Sequence, residues 1–365
     1  MALPGSDLLW VPRGHWEMLI AIYLFLGGLS GGSYLTSVAA SVLFRPRAEG
    51  PEEIFACEET SRWGAVLAVI AIAIGGVALL SHLGAPLRAL TFPVLFSNYG
   101  SWLVIGTWFI VLFAAFATFE AFWLLFGTEH EGDADGLSYL PRWALGWIDR
   151  EMPWDADRGV VRVLDTIADR IRPSGYLRLG TKLVGSALAI GVIVYTAMLL
   201  TDLASVPFWN RTYLPFIFLM SGASTGISAA LLGTVLSGGG ATRTNHLFCL
   251  ADDGLIVVEV GVIVALLAYL NSGGVAAGAT LSKLFGSCCF LPFVVGVLVL
   301  GLVVPFLMSM TMTGLVSATD IEETRRGRMA ISTGFATKYA LVLLGGLLLR
   351  YVVLFAAVKN PLFVP

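Results

Sequence analysis

The chain has 365 residues, of which 57% are hydrophobic and 13% charged, with a mean hydropathy of +0.84 and a net charge of −3. Soluble domains carry about a quarter charged residues and under half apolar ones, so a soluble globular protein is excluded. So are a disordered chain and, with only four cysteines, a disulfide scaffold. A pI near 5.8 argues against a nucleic-acid-binding surface.

What remains is an all-α, polytopic membrane protein. A helix crossing the hydrocarbon core needs about 20 mostly apolar residues, because every backbone amide there must be bonded within the segment. That requirement predicts eight transmembrane helices, over 16–44, 62–83, 101–127, 177–201, 212–237, 246–271, 284–311 and 330–357. The first has no short apolar region followed by a cleavage site and reads as a retained helix. The connections after spans 1, 3, 5 and 7 hold 14 basic residues, from Arg45 to Arg328. The opposite side holds six, counting Arg350 inside the last helix. Lys and Arg accumulate in cytoplasmic loops, so a multi-pass protein of the cell membrane with both termini outside is expected. The hydrophilic insertion 129–172 then lies on the cytoplasmic side. Its Trp143, Trp147 and Trp154, set among charges, suggest short interfacial helices.

The sequence also repeats itself. Gly28-Leu29-Ser30-Gly31-Gly32 in span 1 is echoed by Gly222-Ala223-Ser224-Thr225-Gly226 in span 5, an offset of 194. Thr181-Lys182 with Tyr195 in span 4 is echoed by Thr337-Lys338 with Tyr351 in span 8, an offset of 156, and the difference fits the longer loop after span 3. Units of four helices point the same way through a membrane. The expected architecture is therefore one membrane domain of two parallel four-helix halves, 16–201 and 212–357. Gly-x-Ser-x-Gly as a hydrolase elbow requires a strand–turn–helix context that an apolar helix does not supply. Gly28 with Gly32, and Gly222 with Gly226, have instead the spacing of close helix packing.

Ionisable groups inside spans are costly and therefore candidates for function. They fall into two sets by depth. The outer set is His15 and Glu17 opening span 1, His82 and Arg88 near the end of span 2, and Tyr195 and Asp202 closing span 4. Imidazole and phenol groups near the surface suit a quinol headgroup, which needs hydrogen-bond partners and acceptors for two protons. The inner set is Lys182, Asp252, Asp253, Glu259 and Lys338. Asp252 and Glu259, seven apart, share a helix face about 10 Å from one another. Such a set can pass protons; alternatively Lys182 and Lys338 neutralise Asp252 or Asp253 and tie the two halves together. Of the histidines, only His15 and His82 share a level, which leaves little basis for a haem. Cys57, Cys249, Cys288 and Cys289 form no cluster motif, so neither haem nor iron–sulfur centre is expected in this protein, nor a metal site or a catalytic residue of its own.

Several segments in order resemble a known family. They are His15-Trp16-Glu17 with Tyr23 to Gly32, then His82-Leu83-Gly84-Ala85-Pro86-Leu87-Arg88, then Tyr195-Thr196-Ala197-Met198. Pro207-Phe208-Trp209-Asn210, Phe218 to Gly222, and Asp253 with Glu259 complete the series. The series is similar to the NrfD/PsrC family, the membrane subunits of polysulfide reductase and related respiratory complexes. The resemblance implies a haem-free, quinone-reactive membrane anchor that is not catalytic alone. It would exchange electrons between menaquinone or another quinone and a ferredoxin-like iron–sulfur subunit docked at the outer face, with a molybdopterin catalytic subunit beyond. His15 and Tyr195 match positions implicated in quinone binding there, with Glu17, His82, Arg88 and Asp202 in their surroundings. A secondary transporter with a midplane site on the glycine-serine helices and the span 6 acids is the competing function. Beyond lipid and such subunits no partner is expected, and no nucleic acid.

Overall fold

The computed structural model describes residues 16–82, 100–126, 163–164, 166–239, 242–286, 289–316 and 325–360, without the side chains of 16, 17, 82, 313–316 and 325–330. The helices are α1 (Trp16–Ala39), α2 (Pro51–His82), α3 (Trp102–Leu125), α4 (Gly175–Thr201), α5 (Tyr213–Leu236), α6 (Arg243–Asn271), α7 (Val275–Gly286), α8 (Leu291–Val316) and α9 (Arg325–Phe355). α1 runs on through a wide turn at Ala40–Phe44 and a tight one at Arg45–Arg47. α8 is wound as a π-helix over Leu291–Val303 and as an α-helix thereafter. All the helices except α7 hold a stretch long and apolar enough to cross a membrane, eight spans among the described residues.

Two expected boundaries shift. α2 begins at Pro51, not at 62, so roughly 16 Å of helix precedes the apolar run. Proline at the first helical position needs no amide partner, and Glu52 and Glu53 in the first turn suit the helix dipole, which explains a start inside a polar segment. Residues 284–286, expected to open the seventh span, instead end the separate helix α7. The expected insertion 129–172 lies almost wholly outside the described residues.

The spans sort inward from outward by size and polarity, not by hydrophobicity, since lipid is as apolar as any core. On α1 and α2 the buried positions include Ser30, Ser33, Thr36, Ser37, Thr60 and Ser61, while Ile70, Ile74 and Val77 of α2 are exposed. The inward hydroxyls clip one helix to another: Ser30 donates to the Ala68 carbonyl at 2.7 Å, Ser37 to that of Ser61 at 2.6 Å, and Thr60 meets Thr234 at 3.0 Å. Late residues of α1 thus lie beside early residues of α2, and the end of the bundle they share carries Arg45, Arg62, Arg178 and Arg243. It is called the basic end below.

α1 and α5 cross backbone to backbone. An added methyl on Gly32 would overlap the Gly222 carbonyl, and one on Gly226 would overlap the backbone of Gly32; one on Gly222 would come within 3.3 Å of the Gly28 Cα. Gly28 faces Gly222 and Gly32 faces Gly226, in the same order, so the two helices run parallel. A second close contact joins Gly301 of α8 to Gly345 of α9. Gly32→Ala should therefore destabilise the protein by about 1–3 kcal/mol or more through overpacking. Gly254→Ala on α6, where an added methyl meets nothing within 4 Å, should be neutral or stabilising by up to about 1 kcal/mol. Thermal unfolding in detergent compares the two, and an unshifted Gly32→Ala would contradict the close crossing.

Candidate functional site

The inner acids of α6 sit on a helix whose start is fixed by Thr242, its hydroxyl accepting from the Asn245 amide at 3.3 Å. Ten residues on, Asp252 and Asp253 both reach Lys338 of α9: the ammonium lies 3.2 Å from Asp252 Oδ2 and 3.1 Å from Asp253 Oδ1, and donates to Cys249 Sγ at 2.8 Å. Lys338 and Asp252 are fully buried. Ser224 of α5 donates to Asp252 Oδ1 at 2.5 Å, and Ser309 of α8 donates to Asp253 Oδ2. Four helices thus converge on one ammonium and two carboxylates.

The polar path continues toward the other end. Ser224, Ser221, Thr225 and Glu259 line a cavity of about 10 Å³, closed by glycines 301, 345 and 346. That is about the space one water needs. Ser221 and Glu259 line that cavity from α5 and α6, and the buried guanidinium of Arg350 of α9 lies within electrostatic range of Glu259. Arg350 donates to the Ser221 hydroxyl and to the Gly346 carbonyl at 3.2 Å, with its guanidinium carbon 4.9 Å from the Phe218 ring centre. Its Nη2 would lie 3.0 Å from a methyl on Gly28, so the glycine of α1 makes room for it. Asp252, Asp253, Glu259 and Lys338 are therefore brought together along one line. Ser221, Ser224, Ser309 and Arg350 join them. Arg350, counted above only as a topological charge, is a member of the site.

Lys182 is not part of that line. Its ammonium lies 3.4 Å from Glu120 Oε1 of α3 and donates to Ser41 of α1 at 2.7 Å. The expected pairing of Lys182 with Asp252 or Asp253 across the halves is thus corrected: α4 faces α3 and α1 at this level, with α3 supplying the acid. Glu120 was missed, although a lone carboxylate in the apolar run from Trp102 to Leu125 is itself a signal. A second missed signal lies at the same offset of 194, where Asp252-Asp253 fall on Glu58-Glu59 of α2. There Arg45 bonds Glu58 at 2.8 Å and Arg62 bonds Glu59 at 3.0 Å, beside an open cavity of about 380 Å³ that Lys182 also lines.

In the outer set, Tyr195 is buried with its ring packed on Gly106 of α3. It lines, with Tyr23, Gly27, Gly75, Gly76 and Thr196, a void of about 20 Å³ at the centre of α1 to α4. Among the described residues its hydroxyl makes no hydrogen bond. Asp202 caps α4 with an exposed side chain two turns away and does not line the void. His15 and Arg88 lie outside the described residues, as do the side chains of Glu17 and His82.

A family model described as polysulphide reductase, NrfD, matches residues 11–361. The protein belongs to this family. NrfD relatives include the C subunit of polysulfide reductase from Wolinella succinogenes, 28% identical over 353 residues, covering 93% of each sequence. A protein NrfD homolog from Haemophilus influenzae is 28% identical over 303 residues, covering 82% of the present sequence and 84% of its own. Protein NrfD of Escherichia coli is 28% identical over 221 residues, 60% of each. This NrfD-family member is a multi-pass membrane protein of the polysulphide reductase type.

Removing the shared cation tests the buried cluster. Lys338→Met leaves two carboxylates facing one another in the bundle and should cost about 3–5 kcal/mol. Adding Asp252→Asn and Asp253→Asn should recover part of that loss. Chemical unfolding of the single and triple variants measures it, and additive losses would show that the three groups do not act as a unit.

Proposed function

We propose that the protein is the quinone-reactive subunit of a respiratory oxidoreductase in the cytoplasmic membrane. It exchanges electrons between a quinone, menaquinone or another, and an iron–sulfur subunit docked at the end of the bundle where α1 begins. A molybdopterin subunit beyond that partner acts on the terminal substrate. Family membership supports the role. The single observation that carries the site is the pair of phenols, Tyr23 and Tyr195, on a glycine-walled void two turns below the helix ends that bear His15, Glu17 and His82 in the sequence.

The void is water-sized and too small for a quinone ring, which in this reading lies above it with Tyr195 as its floor. His15 and Tyr195 hold the headgroup oxygens, and Arg88 and Asp202 give the surroundings their charge. Oxidation of a quinol releases two electrons to the partner and two protons to these groups.

The acid–lysine line of the second half carries protons in the same reading. One ammonium between two carboxylates leaves room for one further proton, and Ser224, a water-sized cavity and Glu259 extend the path past the middle of the bundle. The size of that cavity favours protons over the solute a secondary transporter would carry there. With both termini outside, the path opens toward the cytoplasm. We read the fold as two parallel halves, 16–201 and 212–357, related about the facing glycines of α1 and α5.

In the purified complex, Tyr195→Phe and His15→Ala should each lower quinol-dependent turnover about 10-fold or more while the iron–sulfur subunit stays bound. Undiminished turnover in both would remove the site assignment. Glu259→Gln should abolish proton translocation by the complex in proteoliposomes and leave electron transfer within about twofold; translocation at the parent rate would rule out the proton path.

A further inference from the structure

We propose that the cavity at the basic end of α1 to α4 binds a phosphate oxyanion, supplied by the headgroup of an anionic membrane phospholipid. The cavity, about 380 Å³, is walled by Arg45, Arg62, Arg172, Arg178 and Lys182 against one carboxylate, Glu58. Its volume falls in the range of sites that enclose small ligands. Counting Glu59 and Glu120, which pair with Arg62 and Lys182 from behind the wall, cations are still in the majority. Gly175, the first residue of α4, is also on the wall. Its N-cap, Ser174, makes no side-chain capping bond, so the positive end of the α4 dipole opens into the same space.

The repeat offsets bear on which of these cations the fold itself requires. Shifted by 194 or 156 residues, Arg45, Arg62 and Arg178 correspond to Gly239, Ile256 and Gly334, whereas Arg172 corresponds to Arg328 and Lys182 to Lys338. The second half closes its lysine with two carboxylates. The first half gives its lysine one carboxylate, Glu120, and ranges arginines around the cavity it lines, which suits an anion from outside the protein.

Depth and surroundings point to a lipid. The wall draws on the ends of four spans and on the part of α2 that precedes its apolar run, the level of headgroups in a bilayer. Leu179 on the wall and Leu183 one turn further along α4 are both exposed, a surface on which an acyl tail can lie while its phosphate enters the cavity. Basic pockets between spans at a membrane face are suited to anionic headgroups. The site is separate from the proposed quinone and proton paths.

The full-length protein, extracted in mild detergent and washed, is analysed by organic extraction and lipid mass spectrometry. About one anionic phospholipid per protein molecule should survive washing, and Arg172→Gln with Arg178→Gln should lower its retention about 10-fold. Delipidated protein should be stabilised against heat by phosphatidylglycerol and not by phosphatidylcholine. The retention and heating arms on the unaltered protein decide the matter even if the double variant does not fold. Saturable binding of inorganic phosphate, with no phospholipid retained and no response to phosphatidylglycerol, would overturn the lipid as the source. No retention and no response to either would overturn the site.

Discussion

A charge within lipid must be met by another charge, and that constraint decides which helix stands beside which. Lys182 requires Glu120, so α4 lies against α3; Lys338 requires Asp252 and Asp253, and its side chain reaches from α9 to α6, both of which pack on α5 and α8. Arg350 of α9 and Glu259 of α6 attract one another at a higher level. Hydrophobicity cannot make these choices, because an apolar face is equally at home in lipid and in the bundle. The ionic contacts and the small hydroxyls between them supply the specificity, and close packing of glycine surfaces supplies the attraction.

The same constraint is met in two ways. In the second half a lysine, two aspartates, two hydroxyls and a thiol are held in contact with one another. In the first half the corresponding lysine is drawn to α3, and the corresponding acids are taken by Arg45 and Arg62. The result is a buried cluster around Lys338 and an open, basic cavity beside Lys182. In the proposed reading of two related halves, the charges have separated into a continuous polar line and a surface-connected basin.

The spans were legible from hydrophobic length alone, because the bilayer imposes that length on any sequence. The start of α2 was not, since Pro51-Glu52-Glu53 is helical for reasons of capping and dipole that hydropathy does not register. Asp252, Asp253, Glu259 and Lys338 stood out as charges at depth, and the structure gathers them. Which acid meets which lysine depended on helix neighbours, and this is why Lys182 was matched to the wrong partners. Glu120 stayed hidden in a span read only for its apolar length. Glu58 and Glu59 stayed hidden because they precede the apolar run, although the offset that related the glycines relates them to Asp252 and Asp253. The residues proposed for the quinone site stood out as an outer polar set and matched a family resemblance; of them, Tyr195 is the buried side chain found on a void.

The facing glycines also bear on how this protein can vary. A bulky substitution at most helix contacts can be relieved by shrinking the residue opposite. Where Gly28 meets Gly222 and Gly32 meets Gly226, the residue opposite is already the smallest there is. No second-site suppressor can arise across that contact. A genetic screen for revertants of a change at Gly32 or Gly226 should return only the original residue, making the α1–α5 crossing the least negotiable part of the molecule.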